Sequence, residues 1–341
     1  MRAYVAATDG LRVRTAPNLS KDNIKRTLKY RDTVEVEEII NDWVKLVKTK
    51  ADQPDLWVHG QYLSKTDPGA PFVSPISASR VNLHMGAGGW SPDKPPNQLS
   101  IVQANKVSAM LVPCYHPEQA SSIIGMFRSA GVEHFVLRAV APYFPVKGAA
   151  FADMAIRALR PFVDAIGTKT FMVQLHNEPN LYAEGLDSWG DGKGFNKWFI
   201  DARNAIVKAL PGARIGFSPM SPGGNVANVR QDEKAFIAQC KDAIEFCDWV
   251  AVHCYYGNPD ASDLVIPIAW WQKFAGKKPI LCTEAGPSLD RAVTINGAQA
   301  MFKAFAKVRV PAFGWLLDHT GNPHFEGQSW SRQGIVLPSF G

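Results

Sequence analysis

The stretch FMVQLHNEPNL, from Phe171 to Leu181, decides how this chain reads. Five of its first six residues suit a buried strand. The apolar pattern then stops at His176-Asn177-Glu178-Pro179-Asn180. A strand that ends in a carboxylate flanked by two amides, with a proline fixing the backbone behind it, presents that carboxylate at a defined place.

The same grammar recurs on both sides. From Arg80 onward, strand, loop and helix repeat. The candidate strands are RVNLHMG, VSAMLVPC, HFVLRAVA, TFMVQLH, RIGFSP, DWVAVHCY, PILCTEA and AFGWLLD. Between them, PEQASSIIGMFRSAG, FADMAIRALRPFVDAIG, GFNKWFIDARNAIVKALPG, EKAFIAQCKDAIEFC and INGAQAMFKAFAKV carry apolar residues at helical spacing. Strands alternating with helices imply a parallel sheet. Eight such units in roughly 260 residues are the size of an α/β (β/α)₈ TIM barrel. A doubly wound sheet is the structural rival. It ranks lower because no Gly-rich phosphate loop follows the first strand.

In a (β/α)₈ barrel, chemistry sits at the C-terminal ends of the strands. His84 ends the first strand and Arg138 lies late in the third. His176, Asn177 and Glu178 end the fourth, His253 and Tyr255 the sixth, and Glu284 the seventh. Trp315 lies in the eighth, with Asp318 and His319 just beyond. Strands four and seven face each other across a barrel mouth, so Glu178 and Glu284 are expected to oppose each other. Two opposed carboxylates suit glycoside hydrolysis, one as proton donor and the other as nucleophile or charge stabiliser.

Residues 80–341 resemble the glycoside hydrolases of the large (β/α)₈ clan A. The motifs that carry the resemblance are Asn177-Glu178-Pro179, His253-Cys254-Tyr255, Thr283-Glu284 and Gly314-Trp315, in that order. The resemblance implies a retaining enzyme for β-glycosidic bonds, with Glu178 as acid/base, Glu284 as nucleophile and Asn177 on the sugar 2-hydroxyl. The other roles follow from chemistry. Tyr255 donates to Glu284, with Tyr256 the competitor one register step away. His253 supports Glu178 or a sugar hydroxyl, and Trp315 offers an apolar face. Arg138 lowers the nucleophile's pKa, and His84 binds sugar or caps the mouth. Many clan members take the arginine from strand two. Here strand two ends in LVPCYHP, and the arginine comes from strand three.

Residues 1–66 read differently. GLRVRTAP, DTVEVEEII, DWVKLVKT and LWVHGQYLS are short strands separated by turns, expected to form a small β-barrel. Leu11-Arg12-Val13-Arg14 with Ala16-Pro17, Val34-Glu35-Val36, Trp43-Val44-Lys45-Leu46 and Trp57-Val58-His59-Gly60-Gln61-Tyr62-Leu63 resemble the bacterial SH3-type domain. That resemblance implies an SH3-like module, with a cell-wall peptide or glycan as its ligand. The bland alternative is a module that only packs on its neighbour. A Pro-rich linker is expected over 67–79.

Net charge is +6 and hydrophobic content 46%, which fits a folded core with a mild basic excess. No long Lys/Arg run is present, so nucleic acid is not an expected partner. No apolar run reaches membrane-spanning length, and no signal peptide is visible. The five cysteines form no CxxC pair, and their count is odd, so buried thiols are expected. The expected partner is a polysaccharide, without a cofactor or metal. The expected location is extracellular or at a cell wall, with a phage-encoded or cytoplasmic origin left open. The glycan is either a cell-wall or capsule polymer or a plant or fungal glucan, mannan or xylan.

Rival readings attach to several residues. His84, His116, His176 and His253 raise a metallohydrolase, against which strand one has no HxH. A sugar-binding protein without activity is opposed by the presence of both carboxylates. Trp90 and Trp189 are candidates for a sugar cleft, whereas Trp270 and Trp271 are expected to pack. The loop EGLDSWGDGKG reads as a cleft wall, with spacing unlike a calcium loop.

Overall fold

The computed structural model describes residues 2–5, 10–29, 32–48, 50–60, 63–64, 72–86, 97–139, 148–288, 291–316 and 326–337. The chain divides into two compact units, Met1–Pro71 and Phe72–Gly341.

The first unit is an antiparallel sheet. Its strands are β1 (Arg2–Val5), β2 (Leu11–Arg14), β3 (Ile24–Leu28), β4 (Thr33–Ile40), β5 (Trp43–Leu46), β6 (Leu56–His59) and β7 (Leu63–Ser64), in the order β3-β2-β6-β5-β4-β1-β7. Alternation places Val34 and Val36 of β4 inward, with Val13, Val44, Leu46 and Val58 from neighbouring strands. Farther along β4 the alternation fails, and Ile39 and Ile40 are both exposed.

The second unit contains a closed parallel barrel of eight strands in sequence order. They are β8 (Asn82–His84), β9 (Ala109–Pro113), β10 (His134–Ala139), β11 (Phe171–Leu175), β12 (Ala213–Phe217), β13 (Trp249–Tyr256), β14 (Ile280–Pro287) and β15 (Ala312–Trp315). All eight lie where the sequence places them. Parallel strands buried on both faces read as short apolar runs, which makes them legible. The helices around them include α1 (Asn97–Ala104), α2 (Ala120–Ser129), α3 (Gly148–Ile166), α4 (Leu186–Trp189), α5 (Gly192–Ala209), α6 (Glu233–Ala238), α7 (Lys241–Phe246), α8 (Val265–Ala275), α9 (Ile295–Lys307) and α10 (Trp330–Gln333). EKAFIAQCKDAIEFC is therefore two short helices rather than one, parted at Gln239 and Cys240. Its apolar spacing runs straight through the break, so the pattern alone hides it.

Inside the barrel, Ala109, Leu111, Val136, Met172, Trp249, Ala251, Leu281 and Phe313 form one core. A Cβ on Gly216 would meet the Trp249 ring at 2.4 Å, so only glycine fits opposite that indole. Ile76 is buried in this same core, with Phe72 packed against it. Of the expected linker over 67–79, residues 67–71 lie outside the described residues, and Phe72 and Ile76 belong to the barrel unit, where they supply apolar surface to its interior.

Strand parity then sets what reaches the site. Residues two apart share a face. The core positions Val136, Ala251 and Phe313 therefore put Arg138, His253 and Trp315 on the inner face as well, and Tyr255 follows His253. Strand β14 breaks this rule. Leu281 is inward, and simple alternation would bring in Thr283. The pairing shifts by one residue against both neighbours: Val252 and His253 pair with Cys282 and Glu284, while Ala312 and Gly314 pair with Cys282 and Ala285. This extra residue turns Glu284 inward, as a bulge re-aims a side chain.

Candidate active site

Strand β11 ends at Leu175, and the next residue, His176, has a φ of 67°. A non-glycine residue in this region is uncommon and is held by its surroundings. The His176 ring is enclosed by Phe151, Trp189 and Trp198. Burial, reinforced by the charge of Arg138 and opposed by the Asn177 carbonyl, lowers its pKa to about 4, so the ring is neutral at pH 7. His176 is thus a structural corner.

Beyond the corner, the chain is pinned. The Trp189 indole donates to the Pro179 carbonyl at 2.8 Å. This corrects Trp189 as a sugar-cleft candidate, because its N–H and ring faces are used in packing. Asn180 is fully buried. Its amide donates to the carbonyls of Ser221 (2.9 Å) and Gln231 (3.0 Å) and accepts from the Ser221 N–H (2.8 Å). These bonds fasten the β11 loop to the β12 loop and leave Glu178 at the rim between two fixed points.

Glu284 is the centre of the site and is 4% exposed. Arg138 Nη1 lies 2.6 Å from its Oε1, and the Tyr255 hydroxyl donates to Oε2 at 2.7 Å. Burial alone would raise the pKa of this carboxyl. Electrostatic attraction from His253, the Arg138 guanidinium and the Nε2 side of His84, with the Tyr255 hydrogen bond, outweighs it and holds the pKa at about 2. Burial and the charge of Glu284 push the Tyr255 phenol well above its ordinary range, so it remains a donor. The competing Tyr256 points elsewhere, and its buried hydroxyl has no hydrogen-bond partner among the described residues. Parity explains this, since Tyr255 and not Tyr256 shares a face with His253.

His253 bridges the two carboxylates. Its Nδ1 lies 2.7 Å from Glu178 Oε1 and 3.6 Å from Glu284 Oε2. One oxygen of each carboxylate and a His253 ring nitrogen all lie within 4.8 Å of one another. His84 accepts from the Gly86 N–H at Nδ1 (2.8 Å), which puts its proton on Nε2, 3.8 Å from Glu284 Oε1. That is an electrostatic rather than a hydrogen-bonding distance. The Trp315 ring lies 5.1 Å from the His84 ring, centroid to centroid. Gly314 beside it lacks a side chain because the Trp330 indole would lie 2.9 Å from its Cβ.

The structure thus brings together Glu178, Glu284, His253, Tyr255, Arg138 and His84, with Trp315 against His84 and Asn177 beside Glu178. Trp90, Asp318 and His319 lie outside the described residues, as do Gln61 and Tyr62. His116 is half-buried and lies 3.3 Å from Glu118, away from the carboxylate pair. Trp271 is buried, and Trp270 stacks on Phe274, as expected. Asp191 of the Gly-rich loop caps α5, accepting from the N–H groups of Lys193 and Gly194.

Glu178, His253 and Glu284 have the donor types of a metal site. The fit is poor, because both oxygens of Glu284 are already engaged, one by a guanidinium whose charge repels a cation. Sequence reasoning missed Glu184. Its Oε1 accepts from Asn177 Nδ2 at 3.1 Å. Burial raises its pKa; the Asn177 hydrogen bond opposes this, and the charge of Glu178 adds to it. An acid in a Gly-rich loop reads as solvated, and no pattern marks it otherwise.

No protein-family model matches the chain, and no curated protein matches it in sequence. Among solved structures it is similar to an endo-β-1,3-glucanase from Sorangium cellulosum, with 16% identity, 76% of this chain and 100% of that chain covered, and a TM-score of 0.46. It is similar to an endo-1,4-β-D-mannanase from Thermotoga petrophila, with 10% identity, 71% and 89% covered, and a TM-score of 0.48. It is also similar to a sugar phosphate isomerase/epimerase from Parabacteroides distasonis, with 13% identity, 78% and 96% covered, and a TM-score of 0.44. Likenesses this remote assign no activity to the chain.

Proposed function

We propose that the barrel unit is a retaining glycoside hydrolase for β-linked polysaccharide. The observation that carries this reading is the convergence of two carboxylates, each with an oxygen within 4.8 Å of the other, from opposite sides of one barrel mouth. Retaining enzymes hold their carboxyl groups about 5–5.5 Å apart, whereas inverting ones need about 6.5–9.5 Å to admit water.

The environments of the two groups favour a division of labour. Glu284 is held ionised by Arg138 and Tyr255 and acts as nucleophile at the anomeric carbon. Glu178, at the more open rim, gives its proton to the leaving oxygen. The C–O bond to the leaving group breaks as the Glu284–carbon bond forms. Glu178, now a carboxylate, takes a proton from water, which attacks the anomeric carbon and releases Glu284. His253, with Nδ1 at 2.7 Å from Glu178 Oε1, orients the acid. Trp315 offers a flat apolar face to the sugar.

The β-sheet unit is proposed as an SH3-type tether to a wall polymer, which suits an extracellular or wall-bound enzyme and a net charge of +6. Product analysis on a panel of β-glucans, mannan, xylan and peptidoglycan tests the reading. Cleavage of at least one polymer, lost in Glu284→Gln with the fold intact, is the expected result. Full activity in Glu284→Gln overturns it.

A further inference from the structure

Gln174 is the only polar residue of β11, is fully buried, and has no part in the chemistry above. Parity puts it inside the barrel, two residues beyond the core position Met172. In the pairing of β10 with β11 it stands beside Arg138, itself two residues beyond the core position Val136. Neighbouring strands are about 4.8 Å apart, so the amide and the guanidinium enter the same layer side by side. On its other flank Gln174 pairs with Gly216, which has no side chain to offer.

Each of the two side chains is anchored at one end. Arg138 Nη1 is spent on Glu284 Oε1, and Gln174 Nε2 donates to the His176 carbonyl at 3.0 Å. Arg138 Nε and Nη2 and Gln174 Oε1 are buried and have no hydrogen-bond partner among the described residues. Nε and Nη2 form the forked edge of a guanidinium, where two parallel N–H groups can share one acceptor. Unpaired buried groups of this kind cost about 1–3 kcal/mol each. A group that satisfies all three must accept from the fork and donate to the amide oxygen. A cation is repelled by the guanidinium, and an anion by Glu284 and the amide oxygen. Water fits, with the three partners typical of a buried water.

We propose that one internal water links Arg138 to Gln174, accepting from Nε and Nη2 and donating to Oε1. Gln174 is then a positioning residue. It fixes the far edge of the guanidinium, and with it the Nη1 donor that faces Glu284. This deepens the glycosidase reading, on which its meaning for catalysis rests, because the group so held is the counter-charge of the nucleophile.

Two measurements test it, and neither needs turnover. The first is a high-resolution crystal structure of the wild-type protein. A water peak within hydrogen-bond distance of the Arg138 fork and of Gln174 Oε1 is the expected result. A direct Arg138–Gln174 bond, a fork bonded to other protein groups, or no peak overturns the inference.

The second reads the hold on Glu284 from urea midpoints against pH. Glu284 is faced by Arg138, Tyr255, His253, His84 and Glu178. Gln174→Met keeps all five and removes the acceptor at nearly constant volume. A carboxyl whose folded pKa is lowered contributes stability that is lost as pH falls through that pKa. A looser guanidinium makes Glu284 about tenfold less acidic, so the fall in midpoint between about pH 4 and pH 3 becomes shallower. In the Glu284→Gln background the same substitution leaves the slope unchanged. A merely structural role lowers the midpoint at every pH without changing the slope, and that result overturns the inference. If Gln174→Met fails to fold, the crystal structure decides. If the water and the slope change are found but no glycan is cleaved, the glycosidase reading falls and the water link stands.

Discussion

Arg138 Nη1 lies 2.6 Å from Glu284 Oε1, although the two residues are 146 positions apart and both are nearly excluded from solvent. Arg138 Nε and Nη2 are buried and have no hydrogen-bond partner among the described residues. A buried pair with unsatisfied donors is a poor device for stability, because desolvation offsets its attraction. Its evident effect is to keep Glu284 charged.

That trade makes a thermodynamic prediction. Arg138→Met leaves a buried carboxylate without its cation and destabilises the fold by about 3–5 kcal/mol. The double variant Arg138→Met/Glu284→Met removes both charges and recovers most or all of that loss. Urea unfolding of the three proteins checks this. Additive losses in the double variant would contradict it.

The pH dependence of stability follows with a definite sign. The folded pKa of Glu284, at about 2, lies below the ordinary carboxyl value. Its contribution is therefore complete above about pH 5 and is lost as pH falls toward 2, in total on the order of 3 kcal/mol. Urea midpoints from pH 6 to pH 3 should fall more steeply for wild type than for Glu284→Gln. Equal slopes would show that Glu284 is not held ionised.

The two adjacent tyrosines separate by function. Tyr255→Phe removes the donor 2.7 Å from Glu284 Oε2 and should lower kcat about 10²-fold, as loss of one preorganised donor does. Tyr256→Phe removes a hydroxyl that has no partner among the described residues and should leave kcat within about threefold and stability unchanged or higher. Steady-state kinetics on one polymer distinguishes them, and a reversed order would place the wrong tyrosine on the nucleophile.

Much of this arrangement is legible in the sequence. Eight apolar runs mark eight strands because both faces of a parallel sheet are buried. Polar residues at their C-terminal ends, Glu178 and Glu284 above all, mark the rim. The choice between Tyr255 and Tyr256 stays open in the sequence, and the inward position of Trp249 sets the parity that favours Tyr255. Other features depend on geometry that no local pattern encodes. Counting twos from Leu281 selects Thr283 and misses Glu284, because the extra residue in β14 is visible only against its neighbours. Trp189 reads as a cleft aromatic and is spent on His176 and Pro179. Glu184 carries no local signal in its Gly-rich loop and lies beside Asn177.

The segment before β8 gives a further case. Ile76 reads as linker and is 5% exposed in the barrel core. Ile76→Ala should destabilise the barrel unit by about 2–5 kcal/mol, the range for emptying a buried aliphatic site. A shift of less than about 0.5 kcal/mol in urea unfolding would return the residue to the linker.

The most direct test of the two-carboxylate account is the anomeric configuration of the product at the moment of release. Proton NMR of a cleaved β-glycan, followed from the first seconds, reads it before mutarotation. The account predicts that the β-anomer of the new reducing end appears first and then decays to the equilibrium mixture. Initial appearance of the α-anomer would contradict attack by Glu284.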